Sequence, residues 1–194
     1  MANKILVIDF GSQYNQLIVR RIRELHVYSE LVSPESAFTR IKSDPEIKGI
    51  IFSGGPNSVY QKDAPTINPQ IYKLGKPILG ICYGMQLMAQ QLGGKVKGSH
   101  KKEYGKTMIQ TKSCPLYKGL SKEEQVWMSH GDIVTTLPTG FHNYAKSKTC
   151  PNATMADVKR KLYGIQFHPE VKHTLHGETI LNNFVFDVCK VKAN

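Results

Sequence analysis

A cysteine bracketed by two glycines, Gly80-Ile81-Cys82-Tyr83-Gly84, and a histidine two residues ahead of a glutamate, His168-Pro169-Glu170, are the stretches whose residue types and spacing could carry covalent chemistry. That chemistry is attack of a thiolate on a carbonyl. A free thiol of pKa near 8.5 is only roughly 3% ionised at neutral pH, and a fall of about two units, worth roughly 2.7 kcal/mol, makes most of it thiolate. A helix N-terminus supplies about 1 kcal/mol in ordinary settings. A basic partner is therefore required, and histidine is the usual one. Pro169 biases His168 away from helical geometry, so His168 is expected to finish a strand. Residues two apart in an extended chain point to the same side. A Glu170 carboxylate can then hold one ring nitrogen and leave the other facing the sulfur, which is the arrangement of nucleophile, base and orienter. The proline-fixed spacing to Glu170 sets His168 apart from the other histidines.

The elements around Cys82 must hold it in place. Pro77 to Ile81 is an apolar run of strand length. Beyond Cys82, Met85, Met88, Ala89 and Leu92 recur at helical spacing until Gly93-Gly94 ends the helix. Cys82 thus falls at a sharp strand-to-helix turn, the G-x-nucleophile-x-G elbow with cysteine in place of serine. Glycines on either side remove side chains that would clash in so tight a turn. For any one cysteine, burial behind a strand is the plainer reading; the glycines and the switch from strand to helix favour the nucleophile. An oxyanion formed on attack needs two N–H groups. One is expected from Tyr83, the residue after the nucleophile, and the other from Gly54-Gly55, where backbone can approach closely. Taken alone, Gly54-Gly55-Pro56 reads simply as a tight turn.

Along the chain, Lys4 to Asp9 reads as a buried strand, with Ser12 as the N-cap of a helix carrying Tyr14, Leu17, Ile18, Ile22 and Leu25 on one face. Val27 to Val32 is a second strand, Ser36 to Ile41 a short helix, and Gly49 to Ser53 a third strand. Such alternation predicts a parallel sheet with helices on its faces, and active groups beyond the carboxyl ends of its strands. After Gly94 the texture changes to short segments, at Thr107 to Thr111, Val126 to Met128, Ile133 to Leu137, Tyr144 to Ala145 and Thr154 to Val158, which read as antiparallel strands. Leu162 to Phe167 is a clear strand, with Lys159-Arg160-Lys161 as the exposed hairpin tip before it. A final helix carries Ile180, Leu181, Phe184, Val185 and Val188 in one stripe. The fold class expected is α/β: an open, mostly parallel sheet with flanking helices, of the flavodoxin-like kind, plus a smaller antiparallel sheet, forming one domain over residues 1–194.

Composition is that of a globular chain, 40% hydrophobic and 21% charged. Its apolar runs have strand length, so no membrane span is expected. The apolar run between Lys4 and Asp9 is too short for the core of a signal peptide, and a cytoplasmic location is expected by default. Four widely spaced cysteines, Cys82, Cys114, Cys150 and Cys189, form no C-x-x-C pair and argue against a zinc knot or a disulfide framework. The formal net charge is +11, with lysines gathered between Lys95 and Lys106. Solvated surface is the preferred reading. A nucleic-acid face would bring a recognised module or interleaved aromatics, so no nucleic-acid partner is expected; attraction to an acidic protein or to phosphates stays open.

With these motifs in place, Gly80 to Gln86 and His168-Pro169-Glu170 resemble the class I, or triad, glutamine amidotransferases. Asp9-Phe10-Gly11-Ser12-Gln13-Tyr14 and Trp127-Met128-Ser129-His130-Gly131-Asp132 are similar, more narrowly, to the amidotransferase part of GMP synthetases. The resemblance covers Ile5 to about Val188. It implies that Cys82 attacks the side-chain amide of L-glutamine, that His168 protonates the leaving ammonia, and that a glutamyl thioester is then hydrolysed. It implies that Gln86 and Ser129-His130-Gly131 hold the amino-acid end of glutamine. It further implies an ATP-pyrophosphatase (synthetase) partner that uses ATP and Mg2+ to aminate xanthosine 5′-phosphate to GMP. This chain has neither the Ser-Gly-Gly-Val-Asp-Ser phosphate loop of that partner nor a Walker A sequence, so no cofactor or metal is expected on it. A separate subunit and a piece of a longer chain both fit. Other ammonia-consuming pathways, a flavodoxin-like binding module with a dead triad, and a thiol peptidase are the competing readings.

Overall fold

The computed structural model describes residues 3–192. Strands β1 (Lys4–Ile8), β2 (Tyr28–Val32), β3 (Ile47–Phe52) and β4 (Ile78–Ile81) alternate with helices α1 (Asn15–Glu24) and α2 (Pro34–Ser43), and α3 (Tyr83–Gln91) follows β4. Then come β5 (Lys95–Thr111), β6 (Glu123–Thr136), β7 (His142–Lys146), β8 (Thr154–Asp157) and β9 (Leu162–Ile165). The chain continues through α4 (Gly177–Asn182) into a wider π-helical turn over Asn183–Val188, so the apolar stripe of the expected final helix spans two helix types.

The nine strands among the described residues form one sheet, in the order β2-β1-β3-β4-β9-β8-β7-β5-β6. Strands β2, β1, β3, β4 and β9 pair in parallel. Strands β8, β7, β5 and β6 extend it with antiparallel pairs. The expected smaller antiparallel sheet is therefore not separate, and the sheet is parallel over one half only. The hairpin from β8 to β9 is the reason: its tip, Lys159-Arg160-Lys161, is exposed as expected, while β9 bonds β4 on its other edge. The short strands expected at Thr107 to Thr111, Val126 to Met128 and Ile133 to Leu137 belong to two long ones, of 17 and 14 residues, the second ending at Thr136. Glycines and a dense run of lysines in β5 hide the alternation there, and the pairing with β6 is interrupted between Gly98 and Glu103.

Successive residues of β1 serve opposite faces, as period-two geometry requires. Ile5 and Val7 join the core under α1 and α4, with Ile18, Ile22 and Leu181. Leu6 and Ile8 join the core under α2 and α3, with Ile41, Met85 and Met88. Both faces of the parallel half are thus covered by helices, which explains its continuous apolar strands. Helix α1 starts at Asn15 rather than after Ser12, and the Ser12 hydroxyl instead accepts the Tyr14 N–H at 3.0 Å. All four cysteines are free and buried. Burial raises the thiols of Cys114, Cys150 and Cys189, that of Cys150 to about 12. Among the described residues, no helix is long and apolar enough to cross a membrane.

Candidate active site

Cys82 stands between β4 and α3 with φ 51° and ψ −106°, a backbone conformation that costs a non-glycine residue about 1–3 kcal/mol and clusters at functional sites. Its neighbours make the turn possible. A Cβ on Gly80 would lie 2.7 Å from backbone atoms of Gly84 and Met85, and one on Gly84 would lie 2.5 Å from the Phe52 Cβ. The Cys82 N–H donates to the Ile165 carbonyl at 2.8 Å, tying the elbow to the end of β9. The side chain of Cys82 is almost wholly buried, at 6% exposure.

Strand β9 ends at Ile165, three residues before His168. The chain beyond stays fixed by other bonds: the His168 N–H donates to the Trp127 carbonyl at 3.0 Å. The Thr174 hydroxyl donates to the His168 carbonyl at 2.6 Å and accepts the Trp127 N–H at 3.0 Å. His168 and Glu170 do share a side, with Nδ1 of His168 2.8 Å from Oε1 of Glu170. Burial alone works against a charged His168. The negative charge of Glu170, the nearby Cys82 and the hydrogen bond with Glu170 outweigh it and hold the imidazole well above its ordinary value. The Tyr14 ring meets the imidazole edge-on, centroids 5.7 Å apart. Glu170 is fully buried, and Arg21 Nε donates to its backbone carbonyl at 3.0 Å.

The loop after β3 completes this corner. A Cβ on Gly54 would sit 3.1 Å from the His168 Cε1 and 3.7 Å from the Cys82 Cβ. A Cβ on Gly55 would sit 2.4 Å from the Phe10 carbonyl oxygen. Backbone therefore passes close to the sulfur at Gly54-Gly55 because neither residue has a side chain. Tyr83 can offer only its N–H, which has no acceptor within its own helix because it is the first residue of α3. Its ring packs against Phe10 at 5.5 Å, and its hydroxyl donates to the Pro65 carbonyl.

Cys82 opens on two cavities. A cleft of roughly 580 Å³ runs from Cys82 past Gln86, Ser129, Gly131 and Asp132. A smaller one, roughly 210 Å³, lies between Cys82, His168, Tyr14 and Ser129. The Cys82 thiol donates to the Ser129 carbonyl at 3.6 Å. Of the residues expected to hold glutamine, Gln86, Ser129 and Gly131 border the larger cleft. The Gln86 amide nitrogen is already engaged, donating to the Asp132 carbonyl at 3.0 Å and to Gln166 Oε1 at 3.2 Å. His130 also borders the cleft, but its ring nitrogens are taken up by the Asp132 carbonyl at 3.0 Å and by Glu103 at 3.1 Å. Burial pushes His130 below its ordinary value even though Glu103 acts in the opposite sense.

Several residues at the site escaped the reading of the sequence. Gln166 is fully buried and donates to the Cys82 sulfur at 3.5 Å. Its place two residues before His168 was the available signal, since 166, 168 and 170 share one parity. Asp132 is clamped by Ser58 at 2.5 Å and Tyr60 at 2.8 Å, which come from the loop after β3. Thr174 gave no signal, because its role depends on β6 passing beside it.

The description "Glutamine amidotransferase class-I" belongs to the family whose model matches residues 6–188. The GMP synthase [glutamine-hydrolyzing] of Pediococcus pentosaceus is 57% identical over 195 residues, covering 99% of this chain and 37% of that protein. That of Geobacillus kaustophilus is 58% identical over 191 residues, covering 98% of this chain and again 37% of the relative. The chain thus spans little more than a third of the length of the relatives it matches. Among solved structures, a Thermoplasma acidophilum protein, provisionally assigned as one of the subunits of a GMP synthase, superposes with a TM-score of 0.84 at 30% identity, covering 98% of this chain and 95% of that one. A glutamine amidotransferase from Thermotoga maritima superposes with a TM-score of 0.69 at 20% identity, over 100% of this chain and 87% of that one, and speaks for the fold alone.

Proposed function

The chain belongs to the class-I glutamine amidotransferase family, and from that premise we propose that it hydrolyses L-glutamine through Cys82, His168 and Glu170 and delivers the ammonia to a synthetase that forms GMP. The observation that carries this reading is the strained Cys82 at the head of α3, with a histidine beside it whose far nitrogen is held by a buried glutamate.

The residues act in sequence. With the imidazole of His168 favoured in its charged form beside Cys82, the sulfur attacks as thiolate and forms a C–S bond to the side-chain amide carbon of glutamine. Charge moves to the amide oxygen, where the Tyr83 N–H and the backbone at Gly54-Gly55 can receive it. His168 passes its proton to the amide nitrogen, the C–N bond breaks, and ammonia leaves. The same imidazole, now neutral, takes a proton from water as that water adds to the thioester. Glutamate departs, and the thiolate beside a protonated His168 is restored. Glu170 holds the ring in place throughout. Gln86, Ser129 and Gly131 line the cleft where the amino-acid end of the substrate would lie.

The partner follows from the relatives. Proteins named glutamine-hydrolysing GMP synthases carry a stretch like this chain in 37% of their length, and this reading gives ATP, Mg2+ and xanthosine 5′-phosphate to a synthetase partner of the kind the remainder would supply. Ammonia freed into neutral water becomes mostly ammonium, which is not a nucleophile. A docked synthetase enclosing the cleft prevents that loss. The test is ammonia release from glutamine, measured with this chain alone and with a GMP-forming synthetase and its nucleotides present. Slow hydrolysis alone and faster hydrolysis with the synthetase is the expected result. Equal rates under both conditions would remove the coupling, and no hydrolysis under either would remove the reaction.

A further inference from the structure

Three ligating side chains outside the Cys82, His168 and Glu170 group converge beside the cleft. Glu103 comes from β5, His130 from β6 and Cys150 from the turn between β7 and β8, and their ligand atoms all lie within 4.8 Å of one another. The side chains of His130 and Glu103 are only 1% and 10% exposed, and Cys150 is fully buried.

The hydrogen bonds around the cluster leave a gap in its charge balance. His130 Nδ1 lies 3.0 Å from the Asp132 carbonyl oxygen, which can only accept, so Nδ1 carries the hydrogen. In a neutral imidazole, Nε2 is then a bare lone pair. It faces a carboxylate oxygen of Glu103 at 3.1 Å, another acceptor. Glu103 Oε1 is satisfied separately, by the Ser147 hydroxyl at 2.7 Å. Ser147 also accepts the Cys150 N–H at 2.9 Å, which fixes the turn carrying the sulfur. Two acceptors held face to face in a buried place are bridged by positive charge, either a proton on Nε2 or a bound cation, and the soft sulfur donor beside them suits a metal ion.

We propose that Glu103, His130 and Cys150 form a binding site for a divalent ion of the zinc class, separate from Cys82 and His168. Thiolate, imidazole and carboxylate are a donor set that zinc takes. Tetrahedral zinc places such ligand atoms about 3.3–3.6 Å apart, close to the nitrogen-to-oxygen separation already present, so the sulfur is the atom that moves in. The Nδ1 bond to a backbone carbonyl is the contact by which a metal-bound histidine is usually oriented. Binding releases the Cys150 proton to solvent and forms the metal–sulfur bond; water fills the fourth position. The ion fastens β5 and the β7–β8 turn to β6, close to Ser129 and Gly131.

The experiment titrates the metal-free chain with Zn2+ against a competing dye, and with Co2+ followed by absorption, for wild type, Cys82→Ala, Cys150→Ser and Glu103→Gln. Wild type and Cys82→Ala should each bind one ion per chain, with a thiolate-to-cobalt charge-transfer band. Cys150→Ser should lose that band, and both Cys150→Ser and Glu103→Gln should bind at least about tenfold more weakly. The proposal is overturned if wild type shows no saturable binding, if cobalt binds without the band, if Cys82→Ala abolishes binding, or if Glu103→Gln binds as wild type does. Should Cys150→Ser fail to fold, Glu103→Gln, on the partly exposed side of the cluster, still decides the matter.

Discussion

The carbonyl oxygen of Pro169 occupies the space where a side chain on Gly177 would begin: a Cβ there would stand 1.9 Å from it. The first turn of α4 thus lies directly against the residue that spaces His168 from Glu170. Gly177→Ala should push either α4 or the Pro169 backbone aside. We expect a loss of about 1–3 kcal/mol in stability, the usual cost of overpacking, and a larger proportional loss in glutamine turnover. Denaturant melts paired with ammonia release would check both, and an alanine variant with wild-type turnover would show that this contact does not position the histidine.

Cys82→Ala should abolish glutamine hydrolysis and leave the fold intact. The strained backbone adds a second, independent expectation. Alanine keeps the unfavourable positive φ of this position, whereas glycine adopts it freely. Cys82→Gly should therefore be more stable than Cys82→Ala by about 1 kcal/mol, after allowing for the greater freedom of glycine in the unfolded chain. Urea midpoints of the two inactive variants measure this difference directly.

His168 should leave a pH signature in stability. Its folded value lies well above the ordinary imidazole value, for the reason that Glu170 and Cys82 favour the charged ring. The folded chain then binds a proton that the unfolded chain has released, so unfolding free energy falls as pH rises. The stabilisation is complete below about pH 6.5, the unfolded value, and is lost as pH climbs through the higher folded value. Glu170→Gln should flatten this dependence and slow hydrolysis, though less than Cys82→Ala does, because orientation is lost and the base is kept. Unfolding curves across the window, for wild type and Glu170→Gln, test it; matching slopes would refute it.

Thr174 bridges His168 and Trp127 through one hydroxyl. Thr174→Val keeps the shape and removes the bridge, leaving a Trp127 N–H without its acceptor. The expected cost is about 1–3 kcal/mol in stability. Turnover should fall by about ten- to a hundredfold through misplacement of the imidazole. Because Thr174 acts through His168, the pH profile of kcat should move as well, which loss of stability alone would not cause.

The parts of this structure that were legible in the sequence are those coded locally. The Gly80-x-Cys82-x-Gly84 turn, the proline-fixed pair His168 and Glu170, and the alternating strands and helices up to Gln91 each carry their own pattern. The long strand β5 does not, because Gly98, Gly105 and the surrounding lysines break the alternation on a strand largely open to water; β6 does alternate in burial, but polar Glu124 and His130 hold inward positions and hide its length. The junction of the parallel and antiparallel halves was also hidden, since it depends on β9 pairing with β4 and β8 at once. At the site, Gln166 was readable by parity, while Asp132 and Thr174 owe their roles to chain segments far away in sequence, and Gly177 to the way the chain folds back onto Pro169. His130 shows the limit of a motif: its segment borders the cleft as expected, yet its ring turns to Glu103, a partner that only the pairing of β5 with β6 brings near.

Strands β4 and β9 are immediate neighbours, in register from Ile78 opposite Leu162 to Ile81 opposite Ile165. The thiol leaves the end of one and the imidazole follows the end of the other, so a ladder of backbone hydrogen bonds in the middle of the sheet acts as a fixed ruler between the two reacting groups. Any outside influence that tunes this chemistry has little purchase on that spacing. It must act instead on the pliable margins, the glycine pair after β3 or the Ser129 stretch of β6, leaving the tool itself preset and only its surroundings adjustable.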